Sequence, residues 1–269
     1  MSLKLGPGLH VLAGPNGSGK TTLLKILAGL SRPTRGMVSV LGRDPYMDPE
    51  VRIRISYVPE RLYLPPGLTA GDAVEAFRDM PGWREDLFER LAGLLGVDFM
   101  DRRVGELSEG MRQKLSLALF LSREPGLVLA DEPTANLDPP SRFKVVLELR
   151  RLASGGAAVV LATHSLYEAA LAADSILVLA DGVLVRTLDL GAPRRGAGVK
   201  ARIRGEVPAD IASEPWVQSL GGGLYLVEAP SMEDMLGRLW EIAGKGRLDA
   251  VDPLLPGVDE ALGGEEPWA

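Results

Sequence analysis

One stretch decides the fold of this chain, Gly14-Pro15-Asn16-Gly17-Ser18-Gly19-Lys20-Thr21. It fits the pattern G-x-x-x-x-G-K-[ST], in which glycines let successive backbone N–H groups surround a chain of phosphates. The apolar run Leu9–Ala13 before it predicts a buried strand, and Thr21–Ala28 predicts a helix that begins at the loop. The partial positive charge at the start of that helix also attracts anions. This order of strand, loop and helix predicts that the chain binds a nucleoside triphosphate.

The positions of the loop have different predicted roles. Lys20 is expected to reach the β- and γ-phosphates, and the Thr21 hydroxyl is expected to ligate Mg²⁺. The other predicted phosphate contacts come from Gly14, Pro15, Asn16, Gly17, Ser18, Gly19 and Thr22. A chance glycine-rich turn is the alternative, and the flanking strand and helix argue against it.

A second apolar strand ends in two carboxylates, Asp131 and Glu132. Ligands of a parallel sheet gather at the carboxyl ends of its strands, so both acids are expected beside the phosphate loop. Asp131 is predicted to hold Mg²⁺, directly or through water, and Glu132 to accept a proton from an attacking water. Simple strand termination is the alternative for this pair on its own.

Composition and charge exclude several classes of protein. The 269 residues are 46% hydrophobic and 25% charged, which is typical of a folded domain with a core. A net charge of −6 argues against nucleic-acid binding, which usually needs a basic face. The absence of cysteine excludes disulfides and thiolate metal sites. The sequence predicts neither a signal peptide nor a membrane-spanning helix, so a role at a membrane requires a separate partner.

Apolar strand-like runs alternate with helical patterns, which predicts an α/β fold with a largely parallel sheet. The predicted strands are Leu9–Ala13, Met37–Leu41, Ile55–Val58, Leu127–Ala130, Ala158–Ala162, Ile176–Ala180 and Val183–Thr187. Three helices are expected before the Asp131 strand, one capped by Thr69, one over Trp83–Leu95 and one over Met111–Leu121. We therefore expect a helical subdomain, about residues 69–121, inserted between strands.

The composition changes again after residue 190. Residues 191–198 resemble a linker, so we expect a domain over residues 1–190 and a small C-terminal α/β module over residues 199–269. The elements predicted for the module are strands at Val199–Arg204, Leu224–Val227 and Leu248–Val251 and helices at Met232–Ile242 and Val258–Leu262.

A third motif, Leu107-Ser108-Glu109-Gly110-Met111, opens a predicted helix that Ser108 can cap, and its amides can form an anion site. Capping alone would also explain this serine. Taken together, however, the motifs make the chain similar to the ATP-binding-cassette ATPases. The similar motifs, in the order of the family, are Gly14–Thr21, Leu107–Met111, Asp131-Glu132-Pro133, Ala135-Asn136-Leu137-Asp138 and Thr163-His164. The resemblance covers roughly residues 5–190, implies a P-loop NTPase core, and looks nearest to export-type subunits for drugs, lipids or polysaccharides.

The resemblance implies a head-to-tail dimer that holds two ATP molecules between its copies. Each ATP would contact the phosphate loop of one copy and Ser108 and Gly110 of the other, while Asp138 would bridge the two sites. His164 would contact the γ-phosphate and help to orient the water, as a catalytic residue beside Lys20 and Glu132. His10 matches no motif, and we expect it to be a surface residue of its strand.

Three departures from the family pattern carry expectations of their own. Glu109 brings a carboxylate close to a phosphate site, so its side chain is expected to point away. Glu60 stands in place of a glutamine that senses Mg²⁺ and the transport partner; it keeps an oxygen ligand for the metal and adds charge. No aromatic residue occurs among residues 1–13 to stack on adenine, so base recognition is expected to be weak or supplied elsewhere.

The loop Arg61–Leu68 is apolar for a loop. In the family this region receives a short helix of a membrane subunit; folding of the loop onto the helical insert is the alternative. The sequence thus predicts an ATP-hydrolysing transporter subunit that uses ATP and Mg²⁺, with a transmembrane permease as partner, peripheral on the cytoplasmic face of the membrane. The alternatives are a regulatory cassette with little turnover and a soluble cassette protein of DNA repair or translation. Those soluble proteins carry a long coiled-coil insert or tandem cassettes, which this sequence lacks.

Overall fold

The computed structural model describes residues 2–123, 125–163, 172–190, 199–230 and 232–254. Within them, six strands form the first sheet: β1 (Gly8–Ala13), β2 (Ile55–Val58), β3 (Leu127–Asp131), β4 (Ala158–Thr163), β5 (Ser175–Ala180) and β6 (Val183–Asp189). Their order across the sheet is β2-β3-β4-β1-β5-β6. All neighbouring strands are parallel except β5 and β6, which form an antiparallel hairpin at one edge. The prediction of an α/β fold with a largely parallel sheet is confirmed.

Six described helices accompany this sheet: α1 (Lys20–Leu27), α2 (Pro49–Ile53), α3 (Ala70–Arg78), α4 (Glu85–Leu95), α5 (Glu109–Leu121) and α6 (Pro139–Ser154). The helices α3, α4 and α5 lie between β2 and β3 in the chain, as predicted for the helical insert. Two apolar clusters cover the two faces of the sheet. Leu9 and Val11 belong to the cluster that includes the helical insert and α6, and Leu12 packs in the cluster that includes α1.

Side-chain caps explain where the helices α3 and α5 begin. Thr69 and Asp72 form a capping box at α3, in which the Thr69 hydroxyl accepts from the Asp72 N–H at 3.0 Å and the Asp72 carboxylate accepts from the Thr69 N–H at 2.8 Å. Ser108 caps α5 by accepting from the Met111 N–H at 3.1 Å. The predicted caps at Thr69 and Ser108 are confirmed.

The prediction that His10 lies at the surface is wrong. Its side chain is 8% exposed, on the strand β1 that has neighbours on both sides in the sheet. Its Nδ1 lies 2.9 Å from the Ser175 hydroxyl and its Nε2 lies 3.0 Å from the Gly6 carbonyl oxygen. Strands inside a parallel sheet are covered on both faces, so alternation along β1 exposes neither set of side chains.

The strand predicted at Met37–Leu41 is also not formed. Only an isolated bridge between Val40 and Arg43 occurs there. Leu41 and Gly42 both have positive φ, 50° and 83°, which is the geometry of a two-residue type I′ turn. The turn reverses the chain inside the predicted strand, so no longer extended run can form.

Six elements form a second sheet with its helices: β7 (Val199–Glu206), α7 (Ala209–Ala212), β8 (Val217–Gly221), β9 (Leu224–Ala229), α8 (Met232–Lys245) and β10 (Arg247–Leu254). The sheet has the order β10-β7-β9-β8 and is antiparallel throughout. This β-α-β-β-α-β succession is typical of ferredoxin-like modules. The predicted β7, β9, α8 and β10 are confirmed, whereas β8 and α7 correspond to no predicted element. The predicted linker 191–198 and the helix Val258–Leu262 lie outside the described residues.

The helix α8 joins the second sheet to the first part of the fold. Met235, Leu239 and Ile242 are fully buried at helical spacing, so they form one apolar stripe. They belong to the same apolar cluster as Phe143 and Leu149 of α6, and α8 packs on that helix. The C-terminal module therefore rests on α6 through continuous apolar contact.

A buried carboxylate ties the helical insert to α6. Glu148 on α6 is 4% exposed, and it accepts two hydrogen bonds from Arg90 of α4, at 2.8 and 2.6 Å. Arg151 donates to the same carboxylate at 2.8 Å. Burial alone would raise the pKa of Glu148, but the hydrogen bonds from Arg90 and Arg151 outweigh it and the pKa is lowered.

We predict that Glu148→Gln lowers the free energy of unfolding by about 1–3 kcal/mol at neutral pH, since it removes charge-assisted hydrogen bonds from a buried group. The folded pKa of Glu148 lies below its unfolded value, so this stabilisation is complete above the unfolded pKa of about 4.3 and is lost as the pH falls through the folded pKa. Urea denaturation of wild type and variant at several pH values measures the difference. Glu50→Gln, at an exposed pair with Arg43, is the control and should change nothing measurable. A difference that stays constant into strong acid would contradict the assignment.

Candidate functional site

The phosphate loop connects β1 to α1, and its shape requires glycine. Gly14, Gly17 and Gly19 have φ values of 155°, 81° and 101°, which favour glycine over any other residue. A Cβ at Gly14 would lie 2.2 Å from the carbonyl oxygen of Leu179 on β5. The Ser18 carbonyl in turn accepts a hydrogen bond from the Gly182 N–H at 2.9 Å. The loop is therefore pressed against the β5–β6 hairpin.

Lys20 lies inside this loop. Its side chain is buried, and Nζ donates to the carbonyl oxygens of Gly14 at 2.7 Å and Pro15 at 3.1 Å. The first turn of α1 has no acidic side chain, and its N-cap, Gly19, makes no side-chain hydrogen bond. The N–H groups of that turn and the ammonium of Lys20 form a positively charged cradle, which is the chemistry that binds phosphate.

Two buried side-chain oxygens at this cradle have no hydrogen-bond partner among the described residues, Ser18 Oγ and Asp131 Oδ2. Burial raises the pKa of Asp131, against the effect of the Thr21 hydroxyl, and the charge of Glu60 adds to the rise. Buried polar atoms are almost always paired, so unpaired oxygens at one place fit a site that binds a polar ligand. The structure thus brings together Asp131, the loop and Thr21, with Glu60 near enough to act on Asp131 by its charge.

Glu132 directly follows β3 and has a strained backbone. Its φ is 47°, in the left-handed region that residues other than glycine rarely adopt. The Glu132 N–H donates to the Ala162 carbonyl at 2.9 Å, and its carbonyl accepts from the Ala135 N–H at 3.1 Å. Strain of this kind persists where the surroundings hold the chain, and it is common at functional sites.

The oxygen ligands present fit a nucleotide-bound Mg²⁺ better than a metal held by protein alone. No cluster of three or more His, Asp or Glu side chains able to hold a metal occurs in the described ranges. Mg²⁺ usually binds one or two carboxylates together with substrate phosphates and waters. The unpaired Asp131 oxygen and the Thr21 hydroxyl supply such a set, and the exposed Glu60 is a third oxygen donor nearby.

The motif around Ser108 lies at the start of α5. Glu109 turns along its own helix, where its carboxylate pairs with Arg112 at 2.8 Å. Gly110 packs against the loop that follows Glu132, because a Cβ there would lie 2.7 Å from the Asn136 carbonyl oxygen. Glycine at position 110 is therefore required by packing within the chain.

Asp138 is bound within its own chain. It caps α6 by accepting from the Ser141 N–H at 3.2 Å, and it pairs with Lys114 of α5 at 3.2 Å. Burial would raise the pKa of Asp138, but hydrogen bonds from Ser141 and Lys114 outweigh it and lower the pKa. His164, the remaining predicted catalytic residue, lies outside the described residues.

Sequence reasoning missed Tyr57. This half-buried residue of β2 pairs in register with Leu129, two residues before Asp131, so Tyr57 and Asp131 lie on the same face of the sheet. Burial, followed by the charge of Asp131, raises the pKa of Tyr57 to about 12. Only the register of β2 against β3 could have revealed this neighbour.

The loop after Glu60 is partly folded onto the helical insert and partly exposed. Leu62 and Leu64 pack against the apolar cluster of the helical insert, whereas Tyr63 is 86% exposed. An open cavity of about 240 Å³ lies between this loop and α5, bordered by Tyr63 and Arg112 among others. None of the helices in the described ranges has the length and apolarity to cross a membrane.

The family model "ABC transporter" matches residues 1–135. Nod factor export ATP-binding protein I of Burkholderia orbicola (strain AU 1054) is 34% identical over 217 residues, which cover 78% of this chain and 68% of the relative. Fe(3+) ions import ATP-binding protein FbpC 1 of Rhizobium meliloti (strain 1021) is 37% identical over 201 residues, which cover 72% of this chain and 56% of the relative. The chain thus spans between about half and two thirds of such relatives. Because these proteins include exporters and importers, the export-type assignment stays a prediction.

Solved structures agree with this result. An ATP binding subunit of an ABC transporter is 30% identical with a TM-score of 0.62, over 69% of this chain and 80% of that chain. A dimeric, post-hydrolysis ATP-binding cassette bound to ADP and Pi is 29% identical with a TM-score of 0.60, over 69% of this chain and 87% of that chain. The family model, the relatives and the phosphate-loop geometry together show that the chain belongs to the ABC transporter family and carries its ATP-binding domain.

Proposed function

We propose that this chain is the ATP-hydrolysing subunit of a transporter. The observation that carries the proposal is the cradle at the end of β1, where buried Lys20 closes a glycine loop beside the unpaired oxygens of Ser18 and Asp131. With a triphosphate bound, the Lys20 ammonium would donate hydrogen bonds to phosphate oxygens instead of the carbonyl oxygens of Gly14 and Pro15. The same ligand would satisfy the Ser18 hydroxyl and the N–H groups at the start of α1.

The residues around the cradle have distinct proposed roles. Thr21 and Asp131 would hold Mg²⁺, with Glu60 as a further oxygen donor, and bound Mg²⁺ neutralises charge on the β- and γ-phosphates. Glu132 accepts the proton of the attacking water. His164, which follows β4 in the chain, orients that water. The family membership supports this assignment, and the strained φ of Glu132 fits a position held for function.

The complete site is proposed to need two copies of the chain in head-to-tail order. Ser108 and Gly110 of one copy would contact the ATP bound in the loop of the other, and Asp138 would connect the two sites. A related cassette was solved as a dimer with ADP and Pi, which supports association of this kind. A ligand shifts such an equilibrium only by its different affinity for the two states, so ATP would favour the closed dimer and hydrolysis would release it.

We further propose a cassette over residues 1–190, a linker at 191–198 and a C-terminal module from residue 199. The partner would be a separate transmembrane permease, and the chain would lie on the cytoplasmic face of the membrane. The exposed Tyr63 offers this partner an aromatic contact beside the cavity that α5 borders. The matched relatives are named as export and import ATP-binding proteins, which supports a role in transport.

One alternative function has an observation in its favour. The extra charge of Glu60 near Asp131 would suit a regulatory cassette that binds ATP and scarcely hydrolyses it. Lys20 in its loop and the Asp131–Glu132 pair favour the enzyme. Steady-state hydrolysis by the wild type decides between the two.

Lys20→Ala should lower ATP turnover by about 10²–10³-fold, because it removes a preorganised positive charge from the phosphate cradle. A phosphate-release assay with ATP and Mg²⁺ measures this loss. Lys245→Ala, at an exposed lysine of α8, is the matched control and should keep wild-type turnover. Equal rates for Lys20→Ala and the control would exclude the loop as the site of hydrolysis.

Glu132→Gln should retain ATP binding and lose about 10²–10⁴-fold in turnover, because the amide cannot accept the proton of the attacking water. With ATP and Mg²⁺ the variant should accumulate as a dimer, seen in light scattering as a doubled mass. The control is Glu89→Gln on the exposed side of α4. A wild type no faster than Glu132→Gln would favour the regulatory cassette, and a variant that stays monomeric with ATP would count against the shared site.

A further inference from the structure

Several residues of helix α5 contact the loop at residues 132–138, which leads from Glu132 to α6. Near the start of the helix, Gly110 lies directly against the Asn136 carbonyl. One turn later, Lys114 pairs with Asp138 at the end of the loop. These two contacts hold the far half of the loop from α5, and a third side chain of the helix contacts the part next to Glu132.

That residue is Gln113. Its Nε2 donates to the Pro133 carbonyl oxygen at 3.1 Å, and the side chain is 4% exposed. A buried amide without a partner is costly, so this hydrogen bond fixes both the side chain and the carbonyl that it contacts. Pro133 has no N–H of its own, which makes its carbonyl the one main-chain hydrogen-bonding group through which it can be held.

The hydrogen bond from Gln113 to Pro133 lies one residue beyond Glu132 and can therefore affect the Glu132 backbone. The Glu132 N–H is bound to β4 through the Ala162 carbonyl, and one residue beyond Glu132 the Pro133 carbonyl accepts from Gln113. The left-handed φ of Glu132 lies between these two anchors. A residue in that conformation keeps it only when the chain on both sides is held. The Ala135 N–H holds the Glu132 carbonyl from within the loop, and Gln113 holds the next carbonyl from α5.

We propose that Gln113 is a positioning residue for ATP hydrolysis, which holds the Pro133 carbonyl and thereby fixes the direction of the Glu132 carboxylate. The proposal rests on the proposed function of Glu132 as the proton acceptor. Gln113 also borders the cavity between α5 and the loop after Glu60. One side chain therefore connects the surface offered to a partner with the backbone beside the reacting water.

The test is Gln113→Met in the full chain, since methionine has a similar length and no donor. We expect kcat for ATP to fall about tenfold with KM unchanged, because the phosphate loop keeps its contacts while the proton acceptor is less well placed. Amide hydrogen exchange at residues 132–138, measured without nucleotide, should become faster than in the wild type. Ser116→Ala is the matched control, because Ser116 is buried on the same helix and its hydroxyl has no partner in the described chain. It should change neither readout.

Three results would overturn the proposal. The first is wild-type kcat together with unchanged exchange of the loop. The second is a fall in kcat with an equal rise in KM, which would assign Gln113 to ATP binding. The third is faster exchange throughout the first sheet, which would assign Gln113 to general stability. Absence of hydrolysis by the wild type overturns the proposed function instead, and exchange of the loop then decides whether Gln113 holds Pro133.

Discussion

The close approach of Gly14 to the Leu179 carbonyl is the constraint on which the site depends. With no side chain at position 14, the phosphate loop lies against β5, and the bond from Gly182 to Ser18 holds it there. This contact sets the direction in which α1 leaves the loop and the place where the Lys20 ammonium can lie. The anion site is thus built from main-chain geometry and one lysine, before any ligand arrives.

Local patterns in the sequence predicted the parts of the fold that local interactions determine. The caps at Thr69 and Ser108 depend on residues three positions apart, and the buried strands are short apolar runs between turns. The sequence-based predictions were wrong or incomplete where contacts between distant residues determine the structure. His10 is buried because of the strands beside β1, and Tyr57 faces Asp131 because of the register of β2 on β3. The spacing of residues within one segment predicts neither of these contacts. The type I′ turn at Leu41 was also not predicted, because it lies within an apolar run that resembles a strand.

In the candidate site too, local sequence patterns predict some features, and contacts between distant residues determine the others. The phosphate loop and the Asp131–Glu132 pair are each a contiguous run in the sequence and carry their own chemistry, so their types and order suffice to predict them. The contacts of Asp138 with Lys114 and of Gly110 with Asn136 join segments more than twenty residues apart, and they became visible only in three dimensions. These are the contacts that hold the acid-bearing loop in place.

The segment between β3 and α6 has a strained backbone, and contacts from α5 stabilise it. Glu132 and Asn136 both have left-handed φ values, 47° and 60°, although neither is glycine. Such conformations require tertiary support, and α5 provides it at the Pro133 carbonyl, the Asn136 carbonyl and Asp138. Asp138, at the end of the loop at residues 132–138, also caps α6. The same helix carries Glu148, which pairs with the helical insert, and the surface on which α8 packs. The helical insert and the C-terminal module therefore both contact the helix that begins at the end of this loop.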